Sequence, residues 1–270
     1  MQHIKIAAVL LVACSQVVSS FGQHFATEVI SYTPGTGVTS GYTNPNSSLG
    51  EPSRVTPGEF GGPVDPYAPP YLAEQLVSIG ANGSLTVRFG GPVLNNAANP
   101  FGIDFLIFGG SGFTITNGNY SGGGVGDGTL FGNNTGTTRV SVSEDNITYY
   151  ALNPSLAPVV DGLFPTDGSG NFTIPVDPSL TGTDFSGKDL TAIRALYGGS
   201  AGGTGYNLDW AIDAEGLPVG LSSIQYLRIE VLSGKSDIDG FVSVVPEPST
   251  WSLITLGIGL AFVRFYRRKQ

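Results

Sequence analysis

Apolar and polar residues alternate along several short segments between residues 25 and 244. The alternation is clearest at residues 84–89 and 224–231, and a period of two is typical of strands with one buried face. Residues 101–108 are apolar almost throughout, which is the pattern of a central strand in a sandwich. A last apolar run covers residues 241–245. We predict that these segments are β-strands.

A hairpin is predicted in the middle of the chain. Residues 138–143 and 147–150 have strand-like patterns, and Glu144-Asp145-Asn146 separates them. Asp and Asn favour tight turns, and Asn tolerates the left-handed backbone conformation that many turns require.

Helical patterns are short, and the longest stretches rich in Gly, Asn and Pro are predicted to be loops. Single helical turns are expected at residues 68–76 and 190–196, and loops at 33–68 and 111–137, the first long enough to contain an extra hairpin. Without long amphipathic helices, a parallel sheet has nothing to cover it. The sequence therefore predicts an all-β fold, an antiparallel two-sheet β-sandwich.

Four segments of this region also resemble a known scaffold. They are Asp-Phe-Leu-Ile-Phe at 104–108, the predicted hairpin within 139–150, the strand 226–231, and Asp-Ile-Asp-Gly-Phe at 237–241. Together they resemble bacterial cell-surface jelly-roll domains, which are similar to discoidin or galactose-binding-like sandwiches. The resemblance implies a jelly-roll-like scaffold and no particular activity, because one sandwich fold supports many functions.

The N-terminal segment has the composition of a secretory signal peptide. Lys5 precedes an apolar run at residues 6–13, and the small residues Ser20 and Gly22 occupy the −3 and −1 positions of a cleavage site after Gly22. Residues 1–22 are therefore predicted to be removed during export.

Cys14, the single cysteine of the chain, leaves an alternative open at this end. Leu11-Val12-Ala13-Cys14 resembles a lipoprotein box, and cleavage there would leave a lipid-modified Cys14 at the N-terminus. With one cysteine, no intramolecular disulfide can form, so the stability of the fold must come from packing.

The C-terminal segment has three parts in a fixed order. Pro246-Glu247-Pro248 comes first, an uncharged run at 249–263 follows, and a basic cluster ends the chain. The basic residues are Arg264, Arg267, Arg268 and Lys269. This order resembles the PEP-CTERM sorting domain. The resemblance implies processing by an exosortase-like enzyme of the inner membrane, typically in Gram-negative bacteria that make exopolysaccharide.

The apolar run suits a temporary membrane anchor. Residues 249–263 are fewer than the roughly 20 needed to span a bilayer, but a helix over about 249–266 reaches a marginal span. The basic tail should remain in the cytoplasm. We therefore predict three parts: a signal peptide at 1–22, an ectodomain at 23–245 and a sorting segment at 246–270. The ectodomain is expected at the cell surface or outside the cell after processing.

Charge and histidine content exclude several functions. The formal net charge is −9, and only 12% of residues are charged, so binding to nucleic acid is not expected. The two histidines, His3 and His24, lie near the N-terminus, which leaves no Ser-His-Asp triad or multi-histidine metal site. We predict that the protein is not an enzyme. Paired carboxylates, as in glycoside hydrolases, are the remaining catalytic route.

One group of carboxylates suggests a cation site. At strand spacing, Asp237 and Asp239 lie on one face, and Asp104 from a neighbouring strand would add a third oxygen ligand. The sequence thus allows a structural calcium ion, and no other cofactor is expected. The alternative is that residues 237–240 form a turn with Asx-type backbone bonds.

Tyr206 and Trp210 suggest a glycan site, because aromatic rings near carboxylates stack on sugars. The alternative is that both rings belong to the core, as most aromatic residues of β proteins do. The predicted function is a structural or adhesive role at the cell surface or in extracellular polysaccharide. A carbohydrate-binding module is the first alternative, and a glycoside hydrolase is the second.

Overall fold

The computed structural model describes residues 24–59, 61–119, 123–132, 136–160 and 163–245. Strands dominate these ranges. In chain order they are β1 Ala26–Thr33, β2 Val55–Thr56, β3 Gly62–Pro63, β4 Val77–Gly80, β5 Gly83–Leu94, β6 Phe105–Gly109, β7 Gly112–Ile115, β8 Gly126–Phe131, β9 Thr138–Ser143, β10 Tyr150–Leu152, β11 Thr204–Tyr206, β12 Ala211–Ile212, β13 Ser223–Val231 and β14 Lys235–Ser243. Two short helices are α1 Gly182–Phe185 and α2 Leu190–Tyr197.

The strands form two main sheets. One has six strands in the order β1-β5-β13-β9-β10-β12, and the other has four in the order β11-β6-β14-β4. All strand pairings within them are antiparallel. β2 with β3, and β7 with β8, form separate two-stranded sheets. The predicted all-β, antiparallel two-sheet sandwich is confirmed.

The core lies between the two main sheets, and the apolar residues of the alternating segments supply its buried side chains. Leu85, Val87 and Phe89 of β5 are fully buried in one apolar cluster with Leu227 and Ile229 of β13. The four-stranded sheet contributes buried side chains to the same cluster, including Phe105, Ile107, Ile238 and Phe241. The alternating segments therefore became the central strands because each presents one continuous apolar face.

Several local predictions need correction. Residues 111–137, predicted to be a loop, contain the β7–β8 hairpin, because Phe113 packs against Phe185 of α1 with ring centroids 4.8 Å apart. The last strand begins at Lys235, well before the predicted start at residue 241. Residues 237–240 are thus part of a strand, and the turn alternative for this segment is wrong.

The middle hairpin is confirmed, with a longer turn than expected. β10 starts at Tyr150, so the turn covers residues 144–149. Asn146 has φ of 63°, and the Asp145 carboxylate accepts hydrogen bonds from the backbone N–H groups of Ile147 and Thr148 at 2.8 and 2.9 Å. The extra hairpin within 33–68 is also present as β2 and β3, and α2 confirms the helical turn predicted at 190–196.

Candidate functional site

The two ends of the described domain lie side by side. Ser243, the last residue of β14, donates its backbone N–H to the carbonyl of His24 at 2.8 Å, and its hydroxyl lies 3.2 Å from His24 Nδ1. Val245 donates its backbone N–H to the carbonyl of Thr173 at 3.3 Å. The chain is therefore still bonded to the sandwich one residue before Pro246, and no spacer separates the domain from the predicted sorting segment.

A cavity of about 250 Å³ opens at this junction. The Arg54 guanidinium lies 4.5 Å from the centroid of the Phe172 ring, pairs with Glu51 at 2.7 Å and donates to the carbonyls of Gly168 and Gly170. Burial lowers the pKa of His24, so its imidazole is neutral at pH 7. The remaining lining residues are Phe25, Asn171, Thr173 and Val245.

A second cavity, of about 400 Å³, lies beside β9 and β10 and is mainly apolar. Val159 and Leu232 line it and are 46% and 49% exposed. Among the residues that line these two cavities, Glu51 is the single carboxylate. Neither cavity therefore offers the pair of carboxylates that a glycoside hydrolase needs.

Asp104 is a buried structural carboxylate. Its oxygens accept hydrogen bonds from the Leu208 N–H at 2.8 Å, the Asn99 side-chain amide at 2.9 Å and the Asn96 N–H at 3.1 Å. Burial raises its pKa, and the three donors oppose that shift. Asp104 joins the start of β6 to the 3₁₀ turn Leu208–Trp210, which the sequence did not predict.

Asp237 and Asp239 have different surroundings although they share one strand. Asp237 lies 3.2 Å from the Lys235 ammonium. Asp239 is buried at an irregularity in the β14–β6 register, where it accepts hydrogen bonds from the N–H and hydroxyl of Ser53 at 2.8 and 2.7 Å. Burial raises the pKa of Asp239 to about 7.

The three carboxylates of the predicted calcium site do not come together. Asp104 precedes β6 and is bonded through its carbonyl to the Val244 N–H, whereas the opposite end of the strand pair joins Ile238 to Gly109. Within the described ranges, no group of three or more His, Cys, Asp or Glu side chains is arranged to hold a metal ion. Calcium binding by Asp237 and Asp239, with backbone oxygens, stays a prediction.

That prediction has a direct test by thermal unfolding at pH 8, where Asp239 is ionised. If the pair binds calcium, millimolar Ca²⁺ should raise the melting temperature, since a ligand at 100 times its Kd adds about 2.7 kcal/mol of stability. Asp239→Asn should abolish the rise, and Asp213→Asn, at a turn distant in sequence, should leave it intact. Identical melting in calcium and in chelator would reject the site.

The two predicted glycan residues differ in burial, and a glycan contact by Trp210 stays a prediction. Tyr206 is fully buried, stacks on Phe105 with ring centroids 5.1 Å apart and donates its hydroxyl to the Pro158 carbonyl at 3.2 Å. Trp210 is half-buried and packs against two apolar clusters. The glycan platform proposed for Tyr206 is therefore wrong, because a ring enclosed on both faces cannot stack on a sugar.

A different aromatic group lies on the outer face of the six-stranded sheet. The Arg228 guanidinium stacks on Tyr149 at 3.8 Å from the ring centroid, and Arg228 Nε donates to the Thr86 hydroxyl at 3.2 Å. Tyr226 is two residues away on the same strand and lies close enough to act electrostatically on the Tyr149 hydroxyl. We call Tyr149, Tyr226 and Arg228 the sheet-face cluster. Its strand residues were visible in the sequence as outward-facing positions, but their proximity to Tyr149 was not.

Comparison with known proteins identifies the C-terminal segment. Residues 244–269 match the PEP-CTERM protein-sorting motif. No curated protein matches the chain. The β-sandwich and the sorting motif together define an all-β protein that carries a C-terminal sorting signal.

The chain thus carries a PEP-CTERM sorting motif, as its sequence predicted, and the motif supports export and sorting by an exosortase-like system. The motif implies transient attachment to the membrane before processing, and afterwards a place at the cell surface.

The predicted terminal elements fall outside the described ranges. They are the signal peptide at 1–22, the motif residues Pro246 to Pro248, the apolar helix at about 249–266 and the basic tail. In the part of the chain that the structure describes, no helix is both long enough and apolar enough to cross a membrane. The membrane anchor and the three-part division of the chain stay predictions.

Proposed function

We propose that the sandwich is a structural or adhesive component of the cell envelope or of extracellular polysaccharide. The observation that carries this proposal is the position of the sorting motif. It follows the last strand without a spacer, and Val245 is still bonded to Thr173. Cleavage within residues 246–270 would therefore release every strand of both sheets as one intact domain.

The surface of the sandwich also favours an adhesive role. Val159 and Leu232 are 46% and 49% exposed and line the same cavity. Exposed apolar side chains that lie close together are typical of interaction sites. This face suits contacts with other envelope components better than it suits catalysis.

Processing at the motif is testable in a cell that carries an exosortase. We expect the exported wild-type protein to lack the peptide that ends at Lys269, since the motif is the recognition signal. Replacing Pro246, Glu247 and Pro248 by Ala should leave the uncut chain in the membrane fraction. Mass spectrometry of the released and membrane-bound protein measures both outcomes.

The matched control replaces the next two residues, Ser249 and Thr250, by Ala. This variant should be processed and released like the wild type. Release of the triple-Ala variant at the wild-type level, or recovery of extracellular chains that still contain Lys269, would contradict the proposal.

A second candidate function is carbohydrate binding. The sheet-face cluster favours it, because Tyr149 and Tyr226 lie on an outward-facing sheet surface together with a polar side chain. Unlike Tyr206, the three residues of the cluster are only partly buried.

A further inference from the structure

The arginines of the described domain differ in their partners. Arg54, Arg88, Arg139 and Arg194 each form an ion pair with a carboxylate. Arg228 does not: among the described residues, no carboxylate lies within salt-bridge distance of its guanidinium. Among these five arginines of the described ranges, Arg228 alone forms no ion pair.

The structure holds this guanidinium in place by other means. Arg228 pairs across the sheet with Thr86 of β5 and Ser141 of β9, and both are small and buried. The long side chain therefore lies over its short neighbours, bonded through Nε to Thr86. Stacking on Tyr149 fixes the plane of the guanidinium, and the hydroxyl of Tyr149 is itself bonded to Asn146 at 2.5 Å.

A guanidinium ordered in this way is suited to a carboxylate. Its planar fork binds both oxygens of a carboxylate with two parallel hydrogen bonds, and pre-orientation reduces the entropy lost on binding. The nearest acidic side chain on the same strand, Glu230, is already paired with Arg139 at 3.1 Å. A carboxylate that binds Arg228 would then come from another molecule.

We propose that the sheet-face cluster binds a carboxylated sugar residue of an acidic polysaccharide. Arg228 would take the carboxylate, while Tyr149 and Tyr226 would contact the sugar ring. The inference rests on the carbohydrate-binding function proposed above and names the class of sugar.

A polysaccharide fits this surface better than an acidic protein segment. The cluster lies on the face of a sheet, where β13 and β5 are fully paired and offer no free strand edge for a peptide to join. Aromatic rings beside a charged group on a flat surface suit a chain of sugar rings. The net negative charge of the protein acts over about 8–10 Å at physiological ionic strength, so it slows approach but does not remove the short-range contact.

The test compares two polysaccharides that share one backbone and differ in whether their carboxyl groups are charged or methyl-esterified. Full-length protein in mild detergent is titrated with polygalacturonate and with its methyl ester, which has the same backbone without the carboxylates. We expect the wild type to bind polygalacturonate at least tenfold more tightly. Arg228→Gln should weaken that binding by about tenfold and leave binding to the ester unchanged.

Two controls separate the site from general effects. Arg54→Gln removes an arginine outside the cluster, beside Glu51 and Phe172, and should bind like the wild type. An unchanged melting temperature shows that each variant is folded. Tyr149→Ala, which removes the stack, should weaken binding as Arg228→Gln does.

Each other outcome overturns the inference in a distinct way. Equal binding of both polysaccharides by wild type and Arg228→Gln would reject the acidic sugar but retain carbohydrate binding. Binding of neither would reject both. Equally tight binding of poly-glutamate would assign the site to an acidic protein. Processing at the sorting motif is measured independently, so the structural role stands or falls separately.

Discussion

The stability of the full-length protein should fall as the pH rises from about 4 to about 8, and Asp239 should cause most of the fall. This carboxyl group is buried between β14 and Ser53, with two hydrogen-bond donors from Ser53 and, among the described residues, no cation paired with it. Burial therefore raises its pKa from the ordinary value of 3.8 to about 7.

The direction of this pH effect on stability follows from proton linkage. Between pH 4 and 7 the folded protein keeps a proton on Asp239, and the unfolded chain has lost it. Because the folded state then binds more protons, a rise in pH favours unfolding. The stabilising contribution is complete below pH 3.8 and disappears as the pH passes through about 7. A difference of about 3 pKa units corresponds to about 4 kcal/mol.

Urea unfolding of wild type and Asp239→Asn across this pH range measures the effect. The Asn variant cannot titrate, so the difference in unfolding free energy between the two proteins should shift by about 3–4 kcal/mol between pH 4 and pH 8. Using the difference removes the contributions of His24 and Asp104, which both proteins share.

Asp237→Asn is the matched control from the same strand. The variant leaves Asp239 intact, so it should retain the fall in stability between pH 5 and 7. A constant difference between wild type and Asp239→Asn at all pH values would show that Asp239 ionises normally.

The second large effect is expected at Asp104. Asp104→Ala leaves the buried donors of Asn99 and Leu208 without an acceptor, in addition to the loss of charge-assisted hydrogen bonds. Each unsatisfied buried donor costs about 1–3 kcal/mol, so the variant should lose about 3–5 kcal/mol of unfolding free energy in urea at pH 7.

Asp209→Ala provides the comparison at the neighbouring 3₁₀ turn. Asp209 is exposed and accepts a hydrogen bond from the Asn95 amide at 2.6 Å, so its loss should cost less than about 1 kcal/mol. If Asp104→Ala were as mild as Asp209→Ala, the three hydrogen bonds of Asp104 would not be what holds β6 to this turn.

The all-β class, the middle hairpin and the sorting motif can all be predicted from the sequence alone. Each depends on residues close together in the chain: the alternation in β5 and β13, the turn at Asp145-Asn146, and the order of Pro-Glu-Pro, apolar run and basic tail. A sorting motif is recognised as a short linear segment, so its information is complete without the fold. Strand patterns are also local, since alternate side chains must face opposite sides.

Which side chains form the candidate sites depends instead on the packing of the sheets. Tyr206 and Tyr149 are equivalent in the sequence, but antiparallel pairing of β11 with β6 places Tyr206 over Phe105 in the core. Asp239 accepts a hydrogen bond from Ser53, 186 residues earlier in the chain. Arg228 of β13 stacks on Tyr149, which lies in the turn between β9 and β10. Burial and charge pairing depend on such distant partners, and a local sequence pattern does not show which distant residues will be in contact. The sequence indicates candidate calcium and glycan residues by their chemical type alone. The packing of the sheets determines which of those side chains are buried and which lie at the surface.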